Sequence, residues 1–279
     1  MGIRTFKVML AAIAGLAAIA GVWKPVQAET LTVGAPPTLR PAFSEILPMF
    51  EREYGAAVHV AYTPSKTLLR QIEKGAPIDV FLSAGMDEVE YLHKKGLTLN
   101  GRPRIYAQTS LVLVMSSESL ASMVSFKDAL SDRAIRIALG DPHTSSLGDV
   151  TVRALAKLYP SYRSRPHILY APDSEEIINL IRAGKADVGL VYRVDLINSG
   201  QVRLSDEAPI GTYMPVQFGQ VVASTCRTSL RSVAEQFSDF LMTPRIQKLL
   251  VKYGFDSIPL PVGQTPIETK ERVSWLAKP

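Results

Sequence analysis

The sequence predicts an α/β protein with mostly parallel sheets, arranged as two lobes with a cleft between them. Three observations carry this. Short apolar runs alternate with segments whose apolar residues recur at three- and four-residue spacing, the rhythm of repeated βα units. Gly or Pro ends several of the helical segments. Neither a Gly/Ser-rich linker nor an internal repeat separates the halves, which fits two lobes sharing a chain that crosses between them twice.

Each element follows in order. Leu31-Thr32-Val33-Gly34 opens as a strand. From about Pro41 to Tyr54, Phe43, Ile46, Leu47 and Phe50 fall on one helical face, and Gly55 stops the helix. Val58 to Tyr62 alternates like a strand, Leu68 to Lys74 is helical, and Gly75 and Pro77 end it. Ile78 to Leu82 reads as a strand and Met86 to Lys95 as a helix before Gly96. The rhythm resumes with strands at Ser110 to Met115, Ile135 to Leu139, His167 to Tyr170 and Val188 to Tyr192. Helices at Thr151 to Leu158 and Glu175 to Ala183 fall between them, and two more run from about Ser229 to Met242 and Pro244 to Tyr253. The extended apolar segments near Tyr106 to Val112 and Met214 to Gln220 are the expected crossings. That divides the chain into one lobe of residues 29–108 and 218–265, a second of 109–217, and a C-terminal tail of 266–279.

The N-terminus predicts export. Arg4 and Lys7 precede an apolar run from Val8 to Val22, and Val26-Gln27-Ala28 supplies small residues for cleavage after about Ala28. The run is shorter than the roughly 20 residues of a membrane-spanning helix. The chain carries 31 Lys+Arg and 26 Asp+Glu; removing a signal over residues 1–28, with Arg4, Lys7 and Lys24, leaves 28 against 26. Such a weak positive balance gives no electrostatic footprint for nucleic acid. Cys226 is the only cysteine, so no intramolecular disulfide forms, and its strand-like surroundings predict a buried small hydrophobe.

Four loop-to-helix entries rich in hydroxyls stand out: Thr38, Thr63-Pro64-Ser65-Lys66, Ser145-Ser146-Leu147-Gly148 and Asp173-Ser174. A helix start presents backbone N–H groups without partners beside such hydroxyls, which suits an anion. Several converging on one cleft would make an oxyanion receptor. Each also has a plainer reading. Thr38, Ser65 and Ser174 could be helix caps, and Tyr192 a packing residue with a wet hydroxyl. Catalysis lacks its motifs. His59, His93, His143 and His167 show no paired metal-ligand spacing, and no Gly-x-Ser-x-Gly elbow occurs.

Four stretches carry a family resemblance: Leu69-Arg70-Gln71-Ile72-Glu73-Lys74-Gly75-Ala76-Pro77-Ile78-Asp79-Val80-Phe81, Ala138-Leu139-Gly140-Asp141-Pro142, Ala186-Asp187-Val188-Gly189-Leu190-Val191-Tyr192 and Lys252-Tyr253-Gly254-Phe255. In their order and spacing, over roughly Thr30 to Phe255, the chain resembles the periplasmic molybdate-binding proteins of ABC importers. The resemblance implies a two-lobed type II periplasmic-binding-protein fold that closes on a tetrahedral oxyanion, molybdate or tungstate. It implies no cofactor and no catalysis, a periplasmic monomer, and as partners a membrane permease and its cytoplasmic ATPase. Residue by residue it places hydroxyl donors at Thr38 and Ser65, backbone donors at Leu147 and Ser174, and a phenol at Tyr192. None of these ligates a metal atom; all donate to oxo groups.

The chain departs from that pattern at Ala35-Pro36-Pro37 before the first hydroxyl, at Thr38 where Ser is usual, and at Lys66, Leu147, Glu175 and Glu176. Other ligands of the same fold are sulfate, thiosulfate or a small carboxylate. A carboxylate would recruit a guanidinium, and Arg40, Arg70 and Arg193 lie near the site in sequence. A secreted hydrolase is the alternative of another class.

Overall fold

The computed structural model describes residues 29–99, 101–120, 122–209 and 211–258. The expected signal peptide and C-terminal tail lie outside these residues.

Two five-stranded sheets form the lobes. The first contains β1 (Leu31–Ala35), β2 (Val58–Tyr62), β3 (Val80–Ser83), β4 (Arg104–Thr109) and β10 (Val216–Val222) in the order β2-β1-β3-β10-β4. The second contains β5 (Leu111–Ser116), β6 (Ile137–Gly140), β7 (Ile168–Ala171), β8 (Val188–Tyr192) and β9 (Val202–Glu207) in the order β7-β6-β8-β5-β9. The chain leaves the first sheet after Thr109, enters the second at Leu111, and returns between Glu207 and Val216.

The α/β class and the two lobes hold, but the sheets are less parallel than the sequence predicts. β1 pairs parallel with β2 and β3, and β6 with β7 and β8. β10 runs antiparallel to β3 and β4, and β5 antiparallel to β8 and β9. The physical reason is the route of the chain. A parallel neighbour needs a crossover helix over the sheet face, whereas β5 and β10 arrive by crossing from the other lobe and enter each sheet reversed.

Helices cover these sheets: α1 (Arg40–Tyr54), α2 (Ser65–Glu73), α3 (Asp87–Lys94), α4 (Phe126–Ser131), α5 (Ser146–Leu158), α6 (Ser174–Arg182), α7 (Arg193–Ser199), α8 (Arg231–Leu241) and α9 (Pro244–Lys252). α1 ends where Gly55 turns left-handed, with φ of 66°. Phe50 of α1 meets Phe237 of α8 edge-on at 5.0 Å, locking two helices of the first lobe together. β3 and β8 are buried along their whole length, as central strands covered on both faces must be. Tyr192, the last residue of β8, packs its ring on Phe218 of β10 at 5.4 Å, so the second lobe touches the first through an aromatic contact beside the cleft.

Candidate oxyanion-binding site

Four helical entries and one strand end point into the cleft. The 3-10 turn Pro37–Leu39 follows β1 and carries Thr38; α2 starts at Ser65, α5 at Ser146 and α6 at Ser174. α2 and α5 begin without a side-chain cap, so their first hydroxyls are not spent on the helix itself. This answers the plainer reading of Ser65 as a cap. Asp173 caps α6 in place of Ser174, accepting the Glu176 N–H at 3.0 Å.

Thr38, Ser65, Leu147, Ser174 and Tyr192 line one small cavity, together with Ala84, Ser145 and Asp173. The cavity leaves about 20 Å³ for the centre of a water-sized sphere, room for one small ion. All five are buried. Ser65 Oγ accepts the Ala84 N–H at 3.0 Å, leaving its own proton free to donate. Ser174 Oγ is buried with no hydrogen-bond partner. The Leu147 N–H is among the first of α5, which have no acceptor within the helix. Tyr192 donates its phenol proton across the cleft to the Ala84 carbonyl at 3.2 Å, and burial holds that phenol well above its ordinary range, so it stays a donor. Thr38 Oγ1 donates to Asp195 Oδ2 at 3.2 Å.

No arginine or lysine lines this cavity. Lys66 turns away and bridges to the second lobe, reaching Asp149 Oδ2 and the Pro142 carbonyl, each at 2.6 Å. Arg70 donates to the His143 carbonyl at 2.9 Å. Arg193 is held by Glu207 and by Ser110. Arg40 lines an adjoining crevice, not the cavity itself, and approaches Glu175 at 4.0 Å. The lining carboxylate, Asp173, faces its helix as a cap, and burial raises it.

Two acids beside the cavity escape a reading of the sequence. Glu88 of α3 is buried and accepts Ser83 Oγ at 3.0 Å and, from the other lobe, Ser146 Oγ at 2.9 Å. Burial raises it, the two serine hydroxyls opposing. Its one sequence signal is Leu92, four residues on and on the same buried face. Asp195 of α7 stands behind Thr38, three residues after Tyr192, and no spacing marks it. Among the described residues, no group of three or more His, Cys, Asp or Glu could hold a metal ion. Cys226 is buried, and burial pushes its thiol up to about 11.

The fold and this cleft define a two-lobed receptor for a small solute. The chain belongs to the bacterial extracellular solute-binding protein family, whose pattern matches residues 31–256. The resemblance to molybdate-binding proteins holds across the chain. The molybdate-binding protein ModA of Escherichia coli is 28% identical over 230 residues, covering 81% of this chain and 88% of that one. Among solved structures, the periplasmic molybdate-binding protein of Azotobacter vinelandii superposes with a TM-score of 0.70 at 22% identity, over 82% of this chain and 99% of that one. The sulfate-binding protein SubI of Mycobacterium tuberculosis gives a TM-score of 0.72 at 18% identity, over 82% and 87%. Likeness at those two identities speaks to the fold.

Proposed function

We propose that this protein captures molybdate, or tungstate of nearly the same size and charge, outside the cytoplasm. It then presents the anion to a membrane permease driven by a cytoplasmic ATPase. It works as a periplasmic monomer, without cofactor and without catalysis. The observation that carries the reading is the chemistry of the small cavity: neutral donors from both lobes and no guanidinium or ammonium on its lining.

Molybdate is fully deprotonated at neutral pH and can only accept hydrogen bonds, so donors suit it. Neutral donors hold it without the desolvation cost of a buried ion pair. A carboxylate ligand would call for a bidentate guanidinium, and Arg70 and Arg193 are engaged elsewhere. The relatives whose names state molybdate binding favour the same ligand. Sulfate matches the charge and the acceptor-only chemistry and differs in size, so it is the competitor to test.

Titration calorimetry with molybdate, tungstate, sulfate, thiosulfate and phosphate tests this. Tight one-to-one binding of molybdate and tungstate, with much weaker heat from the others, is the expected result. Silence with both metal oxyanions, or tighter sulfate binding, would overturn the assignment and leave the receptor fold standing.

A further inference from the structure

We propose that Asp195 is a specificity-determining residue of this site: it sets the donor direction of the Thr38 hydroxyl, so that capture of a fully deprotonated oxyanion takes up one proton from solvent. This rests on the oxyanion reading above.

Thr38 Oγ1 carries a single proton. With Asp195 ionised, that proton is committed to Asp195 Oδ2 at 3.2 Å, and Thr38 turns lone pairs toward the cavity it lines. Lone pairs repel the oxo atoms of a dianion. With Asp195 neutral, its carboxyl O–H donates to Thr38 Oγ1, and the threonine proton is released to the anion. Charge acts in the same sense, since an ionised Asp195 opposes a dianion held next to Thr38. Ser174 marks the same wall as the anion-facing one: the residue is 3% exposed and lines the cavity, and its buried hydroxyl has no hydrogen-bond partner.

The surroundings leave Asp195 without a compensating cation. From its own helix, Arg193 is turned to Glu207 and Ser110, and Asn198 donates to Val194 and Tyr253 carbonyls. From the α6 region come Asp173, Glu175 and Arg182, and from α1 comes Arg40, which approaches Glu175; all line the same crevice as Asp195. Tyr192 is committed to Ala84. No ion pair to Asp195 forms among the described residues. Burial pushes its carboxyl up to about 7, the Thr38 hydroxyl opposing and the Asp173 and Glu175 charges adding. The side chain is half-buried and borders a crevice of about 520 Å³, which also reaches Thr38 and Ser174. That crevice is the path for the proton, which solvent or buffer gives to the Asp195 carboxylate while the anion itself stays unprotonated.

The sign follows. Below neutrality Asp195 is already protonated and binding moves no proton there. Above it the ionised carboxylate must gain a proton as the dianion enters, so affinity falls as pH rises, by at most about tenfold per pH unit.

The test is calorimetry of the purified protein from about pH 6 to about pH 9, in two buffers of different ionisation enthalpy that are not oxyanions. Molybdate, tungstate, sulfate and thiosulfate are titrated separately. Uptake is expected to approach one proton above neutrality. Asp195→Asn, whose amide donates to Thr38 as the neutral acid does, should take up none and hold its affinity across the range. If that variant does not fold, Asp195→Ser, equally unable to titrate, replaces it. Binding without uptake, or uptake that survives in the variant, overturns the proposal. Molybdate bound without uptake sinks this role and keeps the ligand assignment. Sulfate or thiosulfate bound in its place, with uptake lost in the variant, does the reverse. Silence of all four anions overturns both.

Discussion

The two flanks of the cleft are built differently. On one, α2 and α3 of the first lobe meet α5 and its preceding loop through direct bridges. These are Lys66 to Asp149 and to Pro142, Arg70 to His143, Asp87 to Arg153, and Glu88 to Ser146. On the other, the Thr38 turn and α1 face α6 and α7 across the 520 Å³ crevice, with Thr38 to Asp195 and a loose Arg40–Glu175 pair between them. The bridged flank has a groove too, but it shares no lining residue with the candidate cavity, whereas the crevice shares Pro37, Thr38, Asp173 and Ser174 with it. More polar bridges therefore cross on the first flank than on the second, where Asn198 also donates to the Tyr253 carbonyl at 2.7 Å, and the crevice adjoins the candidate cavity from that second side. A contact that forms only on closure adds to affinity by its difference between open and closed states, so substitutions on the bridged flank should cost more.

The largest effect should come from Gly148, at the start of α5 on the bridged flank. A Cβ there would sit 2.4 Å from the Asp141 carbonyl carbon and from the Pro142 nitrogen. Both are backbone atoms, so the loop carrying Ser145 to Leu147 must move. Gly148→Ala is expected to cost about 3 kcal/mol of stability and to abolish measurable anion binding. Thermal unfolding and calorimetry check it, and wild-type affinity in that variant would show that the loop's position does not matter.

Ser65→Ala comes next. It removes the acceptor of the buried Ala84 N–H and a hydroxyl of the cavity lining whose proton is not spent on that bond. A loss of about 2 kcal/mol is expected, or about thirtyfold in affinity. Unchanged affinity would reduce Ser65 to a prop for the Ala84 turn.

The comparison also shows what a sequence can carry. The hydroxyls at Thr38, Ser65 and Ser174 were legible because each opens a helix at the end of an apolar run, while Leu147 and Tyr192 came only through the family resemblance; the five candidate residues line one cavity. The reversal of β5 and β10 was not, because their apolar alternation is the same in either direction. Glu88 stands among Asp87 and Glu90 and reads as a solvated first turn. Its burial depends on Ser146, 58 residues away. Asp195 sits on a seven-residue helix whose pattern says little. Lys66 invites an anion or solvent as its destination; it takes neither, because Asp149 arrives from the other lobe.

Lys66→Ala measures the bridged flank itself. The pair is largely shielded, with side chains 23% and 27% exposed, and the ammonium also serves the Pro142 carbonyl. The expected loss is about 1 kcal/mol, near fivefold in affinity, shrinking as salt screens the pair. A loss that ignores salt would assign the effect to the Pro142 hydrogen bond instead.

Arg40→Ala is the smallest change and the sharpest test of the asymmetry. Arg40 lies 4.0 Å from Glu175, and both side chains are mostly exposed, at 59% and 63%. Its guanidinium also lies over the Tyr62 ring at 4.6 Å, within its own lobe. That contact persists whether the lobes are open or closed and adds nothing to closure. What remains across the cleft is a screened surface pair worth a few tenths of a kcal/mol, so anion affinity should shift less than about twofold. The Arg40→Ala and Lys66→Ala variants, titrated side by side at low and high salt, decide the matter. If Arg40→Ala costs as much as Lys66→Ala, both flanks hold the closed state, and the crevice is a gap in a symmetric clasp.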